Sequence, residues 1–176
     1  MAIIKGRVIK LPDKIDTDII IPTQYLTFET VAEMAAYAFS PLRPEIPKIV
    51  RKGDILVGGL DFGCGSSREQ APEIIKALGF AAVVAKSFAR IFYRNAINNG
   101  LLVIECPELH DLVQEGDQIT LDTASCFIEL PGGTRLSFGR IPDKLQELIA
   151  CGGLVSYYQR KNEVTGDRPR GIGSNH

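Results

Sequence analysis

The spacing of apolar residues changes along the chain, and the changes predict where strands and helices lie. Apolar runs of strand length occupy 54–60, 80–85 and 101–105. Continuous runs of this kind are typical of strands that are buried on both faces. The stretches between them, 73–78 and 86–100, are helix-like. We therefore expect a section of strand, helix, strand, helix and strand with parallel pairing, as in an α/β fold.

The segments on either side complete the predicted fold. Residues 3–10 alternate and predict an opening strand, and 117–140 alternate around a Pro-Gly-Gly turn, which predicts an antiparallel β region. A helix is expected from about residue 142 to 150, and 154–158 is expected to dock or pair.

One glycine turn, between the first apolar strand and its helix, has the chemistry of an anion site. Gly63 and Gly65 permit a positive φ and a close approach of the backbone. The helix that begins near Arg68 to Pro72 presents unpaired N–H groups and the positive end of its dipole. Such a turn binds anions by construction.

The side chains of this turn limit the chemistry. Ser66 and Ser67 offer hydroxyl donors, and Arg68 offers a bidentate cation for a carboxylate. Ser67 and Gln70 have the spacing of a capping box, and both serines could be turn and cap residues only. No histidine lies nearby, so a Ser-His-Asp hydrolase is disfavoured, and Cys64 is disfavoured as a nucleophile for the same reason.

Composition narrows the function classes further. The 176 residues are 45% hydrophobic and 23% charged, which predicts one globular domain. The stretch from Lys161 is rich in Arg, Gly and Pro, which predicts that the domain covers 1–160 and that 161–176 is a disordered tail. Twenty basic and twenty-one acidic residues leave a net charge of −1, so neither nucleic acid nor an anionic membrane is suggested as a partner. With no leader and no membrane-length apolar run, we expect a cytoplasmic protein.

The chain offers little for metal binding. Its four cysteines are far apart, so a self-contained zinc or iron–sulfur site is not expected. Asp16 and Asp18 lie in a polar turn, 13–18, where Asx-turn hydrogen bonds explain them better than a metal.

Two further segments remain open. Residues 23–30 mix hydroxyl and aromatic side chains, and are either the lead-in to a short helix or a mobile lid or substrate loop. Arg90, Arg94 and Asn95 recur at helical spacing, which favours packing or an interface over catalysis.

Three separated motifs together resemble one known family. They are Gly-Cys-Gly-Ser-Ser-Arg-Glu at 63–69 followed by Ala71-Pro72, Ala-Lys-Ser-Phe-Ala-Arg-Ile-Phe-Tyr-Arg-Asn-Ala at 85–96, and Asp-Thr-Asp-Ile-Ile-Ile-Pro at 16–22. In this order they are similar to the small subunit of 3-isopropylmalate dehydratase, in the aconitase superfamily, and the similarity extends to about residue 158.

The resemblance implies a swivelling β/β/α domain, with mixed parallel and antiparallel strands and helices packed around them. It implies a separate large subunit that carries a [4Fe-4S] cluster, with no metal bound by this chain. It also implies a hydroxy di-acid substrate, which is dehydrated and then rehydrated at the neighbouring carbon. A homo-oligomer is possible when the chain is isolated.

By the same resemblance, Ser66 corresponds to the serine whose alkoxide takes the proton from carbon. Ser67 and Arg68 correspond to residues that bind substrate carboxylate. The supporting residues are expected to be Gly63, Gly65, Asp16, Asp18 and Gln70. Gln70 stands where the family usually has histidine, so it cannot titrate, and Asp61 stands where asparagine is expected.

Substrate choice is expected to depend on Tyr25, Leu26, Thr27 and Phe28. Homoaconitase-like members place an arginine at the position of Thr27, so the apolar neighbours here point to an alkyl-substituted malate. Isopropylmalate and 2,3-dimethylmalate both fit, and a homoaconitase-like paralogue remains an alternative.

Two readings from other classes also remain. The turn could bind an anion or phosphate without catalysing a reaction, although its sequence matches neither a P-loop nor a dinucleotide-binding fingerprint. The chain could also be a regulatory subunit whose catalytic role has lapsed, as the glutamine at position 70 suggests.

Overall fold

A computed structural model of the protein describes residues 3–165. The strands are β1 (Ile3–Lys10), β2 (Ile55–Gly58), β3 (Ala82–Ala85), β4 (Leu102–Glu105), β5 (Gln118–Asp122), β6 (Phe127–Glu129) and β7 (Arg135–Ser137). The helices are α1 (Thr17–Ile20), a 3₁₀ turn (Thr23–Thr27), α2 (Val31–Ala35), α3 (Ile46–Ile49), α4 (Gln70–Ala77), α5 (Arg90–Asn98), α6 (Leu109–Leu112), α7 (Asp143–Cys151) and α8 (Leu154–Thr165).

The described strands form one mixed sheet in the order β4-β3-β2-β1-β5-β6-β7. Pairing is parallel from β1 through β4 and antiparallel from β1 through β5 to β7. The opening strand joins the two halves, because its C-terminal part pairs with β2 (Ile9 opposite Leu56) and its N-terminal part with β5 (Gly6 opposite Ile119).

The sheet separates two hydrophobic cores, which gives the molecule its layers. Leu56 and Val83 face one core, which is covered by α1, α2, α4, α5 and α7. Ile55 and Val84 face the other core, which contains Ile128 of β6 and residues of α6. The antiparallel strands therefore curl over the back of the parallel strands, and the order of layers is β, β, α. This arrangement confirms the predicted mixed β/β/α fold.

The individual elements follow the sequence predictions closely. The strand, helix, strand, helix, strand section is confirmed by β2 through β4, and the antiparallel region by β5 to β7. Residues 154–158 form the start of a helix, α8, which continues five residues past the predicted boundary at 160 and ends at Thr165. The rest of the predicted tail, 166–176, lies outside the described residues. No helix within 3–165 has the length and apolar character needed to cross a bilayer.

One ion pair links β1 to the residue that directly precedes β2. Arg7 of β1 donates to Asp54, which is buried, at 2.7 Å, and to the carbonyl of Ile49 at 2.8 Å. The Asp54 carboxylate also accepts the N–H of Arg51 at 2.8 Å. The hydrogen bond to Asp54 raises the pKa of Arg7, so the guanidinium stays charged.

Candidate active site

The glycine turn lies directly after β2, at the carboxyl end of the parallel strands. Gly63 has φ +83° and Gly65 has φ +91°, a conformation that side chains with a Cβ rarely adopt. A Cβ at Gly63 would overlap the ring of Phe92, and a Cβ at Gly65 would lie 2.6 Å from both carboxylate oxygens of Asp16. Both glycines are therefore required by conformation and by space.

The segment 16–18 is bonded to this turn. The main-chain N–H of Thr17 donates to the carbonyl of Cys64 at 2.9 Å, and the Thr17 hydroxyl donates to the carbonyl of Ser66 at 2.8 Å. Asp16 caps α1 by accepting the N–H of Asp18 at 2.7 Å. This is the Asx-type bond that the sequence predicted, and it fixes the aspartate against Gly65.

The third motif closes the turn from the other side. The N–H of Phe62 donates to the carbonyl of Ser87 at 3.0 Å, and the N–H of Ala89 donates to the carbonyl of Phe62 at 2.9 Å. Asp61 has φ +55°, and its N–H donates to the Ser87 hydroxyl at 2.8 Å. Aspartate tolerates this left-handed conformation better than most residues, so it suits this position.

The three motifs enclose a cavity of about 160 Å³. Ser66, Ser67 and Arg68 line it from the turn, and Thr17 lines it from α1. The remaining lining residues are Gly63, Gly65, Ala89, Arg90, Ile91, Phe92 and Asn95. The first turn of α5, which begins at Arg90, lines this cavity, so the cavity carries main-chain N–H groups that have no acceptor inside their helix.

Arg68 is held firmly beside the cavity. Its guanidinium donates to the carbonyl of Ile21 at 2.5 Å and to the Thr23 hydroxyl at 2.8 Å, and it forms an ion pair with Asp18. The side chain is only 11% exposed, whereas that of Asp18 is 58% exposed. The arginine is thus oriented by its own chain, and an incoming carboxylate would compete with Asp18 for it.

Two further details of the turn bear on the sequence predictions. The predicted capping box between Ser67 and Gln70 is wrong, because α4 begins at Gln70 with Glu69 at the N-cap and no side-chain cap bond. Burial raises the pKa of the Cys64 thiol, and the charges of Asp61 and Asp16 raise it further. The thiol therefore stays protonated near neutral pH, which agrees with its poor prospects as a nucleophile.

The predicted substrate loop adjoins the cavity without lining it. Residues 23–27 form the 3₁₀ turn, whose first residue contacts Arg68, but Leu26 and Thr27 are not among the lining residues. The rings of Tyr25 and Phe28 stack with Tyr37 at centroid distances of 4.3 and 5.4 Å. Both interpretations of the loop retain support, since it leads into α2 through a capping box at Thr30 and also begins next to Arg68.

The structure also brings in side chains that sequence reasoning assigned elsewhere. Arg90 and Asn95 of α5 line the same cavity as Ser66, although their spacing favours packing or an interface. The parallel topology is the feature that indicates this position for the start of α5. Helices that follow adjacent parallel strands, here β2 and β3, start at the same edge of the sheet, so the first turn of α5 must lie near the glycine turn.

The described residues do not form a cluster of potential metal ligands. Within residues 3–165, no three His, Cys, Asp or Glu side chains converge on one point. The thiols of Cys64, Cys106, Cys126 and Cys151 are all free.

The fold and the site define a class of protein. It is a β/β/α domain in which two serines, an arginine and the first turn of a helix, α5, line one cavity at the carboxyl end of the parallel strands. Residues 46–109 match the Aconitase C-terminal domain family.

The relatives identify the family. The 3-isopropylmalate dehydratase small subunit of Lachnospira eligens is 54% identical over 89% of this chain and 94% of its own length. The isopropylmalate/citramalate isomerase small subunit of Methanocaldococcus jannaschii is 45% identical over 91% of this chain and 96% of its own. A crystal structure of 3-isopropylmalate dehydratase from Methanocaldococcus jannaschii superposes with a TM-score of 0.88, at 41% identity, over 94% of this chain and 98% of that one. The chain belongs to the family of 3-isopropylmalate dehydratase small subunits, in the aconitase superfamily of hydro-lyases.

Proposed function

We propose that this chain forms, with a large subunit, a cytoplasmic hydro-lyase that isomerises 2- and 3-isopropylmalate, the isomerisation step of leucine biosynthesis. The observation that carries the proposal is the convergence of three separate motifs on one cavity that holds Ser66 and Arg68. The small-subunit names of the relatives imply the large-subunit partner. The four free thiols fit a reducing compartment.

In this proposal Ser66 takes the proton from the substrate carbon. Its carbonyl is fixed by the Thr17 hydroxyl, so the residue is held at the cavity while its own side chain remains exposed. A serine is a poor base in water, and its alkoxide needs positive potential and a dry site. The N-terminus of α5 and Arg68 provide the potential, and coverage by the large subunit would exclude water from the exposed face.

Arg68 and Ser67 bind a substrate carboxylate in the same scheme. Asp18, Ile21 and Thr23 hold the guanidinium in place before substrate arrives, so little rotamer entropy is lost on binding. Loss of water from the substrate leaves an unsaturated di-acid, and return of water at the neighbouring carbon completes the isomerisation. A [4Fe-4S] cluster carried by the large subunit would supply the Lewis acid for the departing hydroxyl.

The supporting residues act through the backbone of the turn. Gly63 and Gly65 allow Phe92 and Asp16 to approach, and Asp16 caps the helix that carries Asp18. Gln70 occupies the first position of α4 and does not line the cavity. Its replacement of the usual histidine therefore leaves the contacts of Ser66 and Arg68 unchanged.

The substrate is proposed to be an alkyl-substituted malate because the loop at 25–28 lacks a cation. Leu26 is half-buried against the core. Thr27 is exposed, and its hydroxyl donates a hydrogen bond to the carbonyl of Gln24. A third carboxylate would find no partner there and would be rejected. 2,3-Dimethylmalate and citramalate are the competing substrates, and the name of the Methanocaldococcus relative includes the second of these.

A substrate panel tests the proposal directly. The chain is co-expressed anaerobically with its large subunit, and turnover is compared for 3-isopropylmalate, 2,3-dimethylmalate, citramalate, homocitrate and citrate. We expect the highest kcat/KM for 3-isopropylmalate and no activity from this chain alone. A preference for homocitrate would show instead that the chain is the subunit of a homoaconitase-like paralogue. Binding of di-acids by the assembled pair without turnover of any would support the non-catalytic alternatives.

A further inference from the structure

Arg90 is the cation of the cavity that has no carboxylate of its own. It is the first residue of α5, its side chain is exposed, and it lines the cavity together with Ser66 and Ser67. Within residues 3–165, no ion pair, side-chain hydrogen bond or ring contact engages its guanidinium. Arg68, by contrast, is occupied by Asp18 and by two oxygen atoms of the segment 21–23.

This difference matters for a substrate with two carboxylates. Arg68 can pair fully with an anion only by displacing Asp18, which is exposed and therefore available to water when released. A second carboxylate in a water-excluded site needs a partner, because an unpaired buried charge is strongly disfavoured. Of the residues that line the cavity, only Arg68 and Arg90 are cationic. The one with free donors is Arg90.

We propose that Arg90 binds one carboxylate of the substrate in the assembled enzyme and is a second cationic substrate-binding residue beside Arg68. This inference rests on the proposed function and extends it to α5. A second, larger cavity of about 830 Å³ lies on the other side of α5, and both Arg90 and Arg94 line it. Arg94 lies one turn further along the helix, is also exposed, and does not line the cavity with Ser66. It is therefore a matched control for the general effect of removing a positive charge from this helix.

Kinetics of the reconstituted pair separate the roles of these two arginines. At saturating large subunit, Arg90→Gln is expected to raise KM roughly 10- to 100-fold, the effect of losing one charge-assisted hydrogen bond in a buried setting. Arg90→Lys restores part of the loss, and Arg94→Gln leaves KM within about twofold, the scale of an exposed charge. An unchanged KM in Arg90→Gln overturns the inference. So does weaker subunit association with normal KM at saturation, which would assign Arg90 to the subunit interface.

Ligand binding provides a readout that does not need turnover. Calorimetric titration of the assembled pair with malate, a simple hydroxy di-acid, should show at least roughly tenfold weaker binding for Arg90→Gln than for Arg94→Gln. Equal affinities of the two variants would overturn the inference. If the pair turns over none of the acids tested but Arg90→Gln still weakens malate binding, the inference stands and the proposed reaction fails.

Discussion

Replacement of Gly65 by alanine tests how the glycine turn is held against the segment 16–18. Gly65 has φ +91°, and the new Cβ would lie 2.6 Å from both carboxylate oxygens of Asp16. Two costs combine. A left-handed φ costs a residue with a Cβ about 1–2 kcal/mol. Displacement of Asp16 also removes the 2.7 Å cap bond to the Asp18 N–H, which is worth about 1 kcal/mol.

A second glycine isolates the contact from the backbone strain. Gly132 has φ +90°, and a Cβ there meets nothing within 4 Å. Gly132→Ala therefore carries the strain alone, and Gly65→Ala should exceed it by about 1–2 kcal/mol in free energy of unfolding. Urea unfolding of the isolated chain measures both variants. With a urea m-value of about 2 kcal/mol per molar, the expected excess lowers the midpoint by about 0.5–1 M.

The double variant Gly65→Ala with Asp16→Ala sharpens this test. Because Asp16→Ala removes the oxygens that the new Cβ would meet, the two changes should cost less together than their sum. Equal destabilisation by Gly65→Ala and Gly132→Ala, together with additivity in the double variant, would refute the claim that the aspartate and the turn are packed against each other.

The other predictions concern stability, thiol reactivity and substrate choice. Arg7→Met leaves the buried Asp54 carboxylate with only the Arg51 N–H as a hydrogen-bond donor, and it should lower the free energy of unfolding by about 2–3 kcal/mol. The expected loss is smaller than for a fully buried pair because the Arg7 side chain is 22% exposed. A change below about 0.5 kcal/mol in urea unfolding would contradict this prediction. In a variant that keeps only Cys64, the pH midpoint of alkylation by iodoacetamide should lie above that of a free thiol. Asp61→Asn should lower this midpoint because it removes one of the charges that raise the Cys64 pKa. A midpoint below that of a free thiol would contradict the structure. Thr27→Arg in the reconstituted pair should shift the ratio of kcat/KM values toward homocitrate, and an unchanged ratio would remove the loop from substrate selection.

The alternation of apolar runs was sufficient to predict the parallel section, because buried strands and amphipathic helices leave distinct patterns. It could not show that β1 pairs in parallel with β2 and antiparallel with β5, since that depends on which strands become neighbours in space. The glycines at 63 and 65 indicated the turn, but the reasons for them, Phe92 and Asp16, lie far away in the sequence.

The site was only partly visible from the sequence for the same reason. Ser66 and Arg68 were found because they are adjacent in the chain and lie in a recognisable motif. The helical spacing of Arg90 favours packing or an interface because spacing alone contains no information about the cavity at the start of its helix. The cap of α4 was misplaced because Ser67 and Gln70 satisfy the spacing of a capping box while the helix begins later, at Gln70 itself.

The central claim, that Ser66 takes the proton from the substrate carbon, is tested most directly by kcat of the Ser66→Ala variant in the pair with its large subunit. Gel filtration and circular dichroism first establish that the variant folds and associates normally, as expected for an exposed side chain with no hydrogen-bond partner among residues 3–165. The account predicts that kcat falls by about 10²–10⁴-fold with 3-isopropylmalate, the usual contribution of a general base. Retention of full kcat in this variant would contradict the claim.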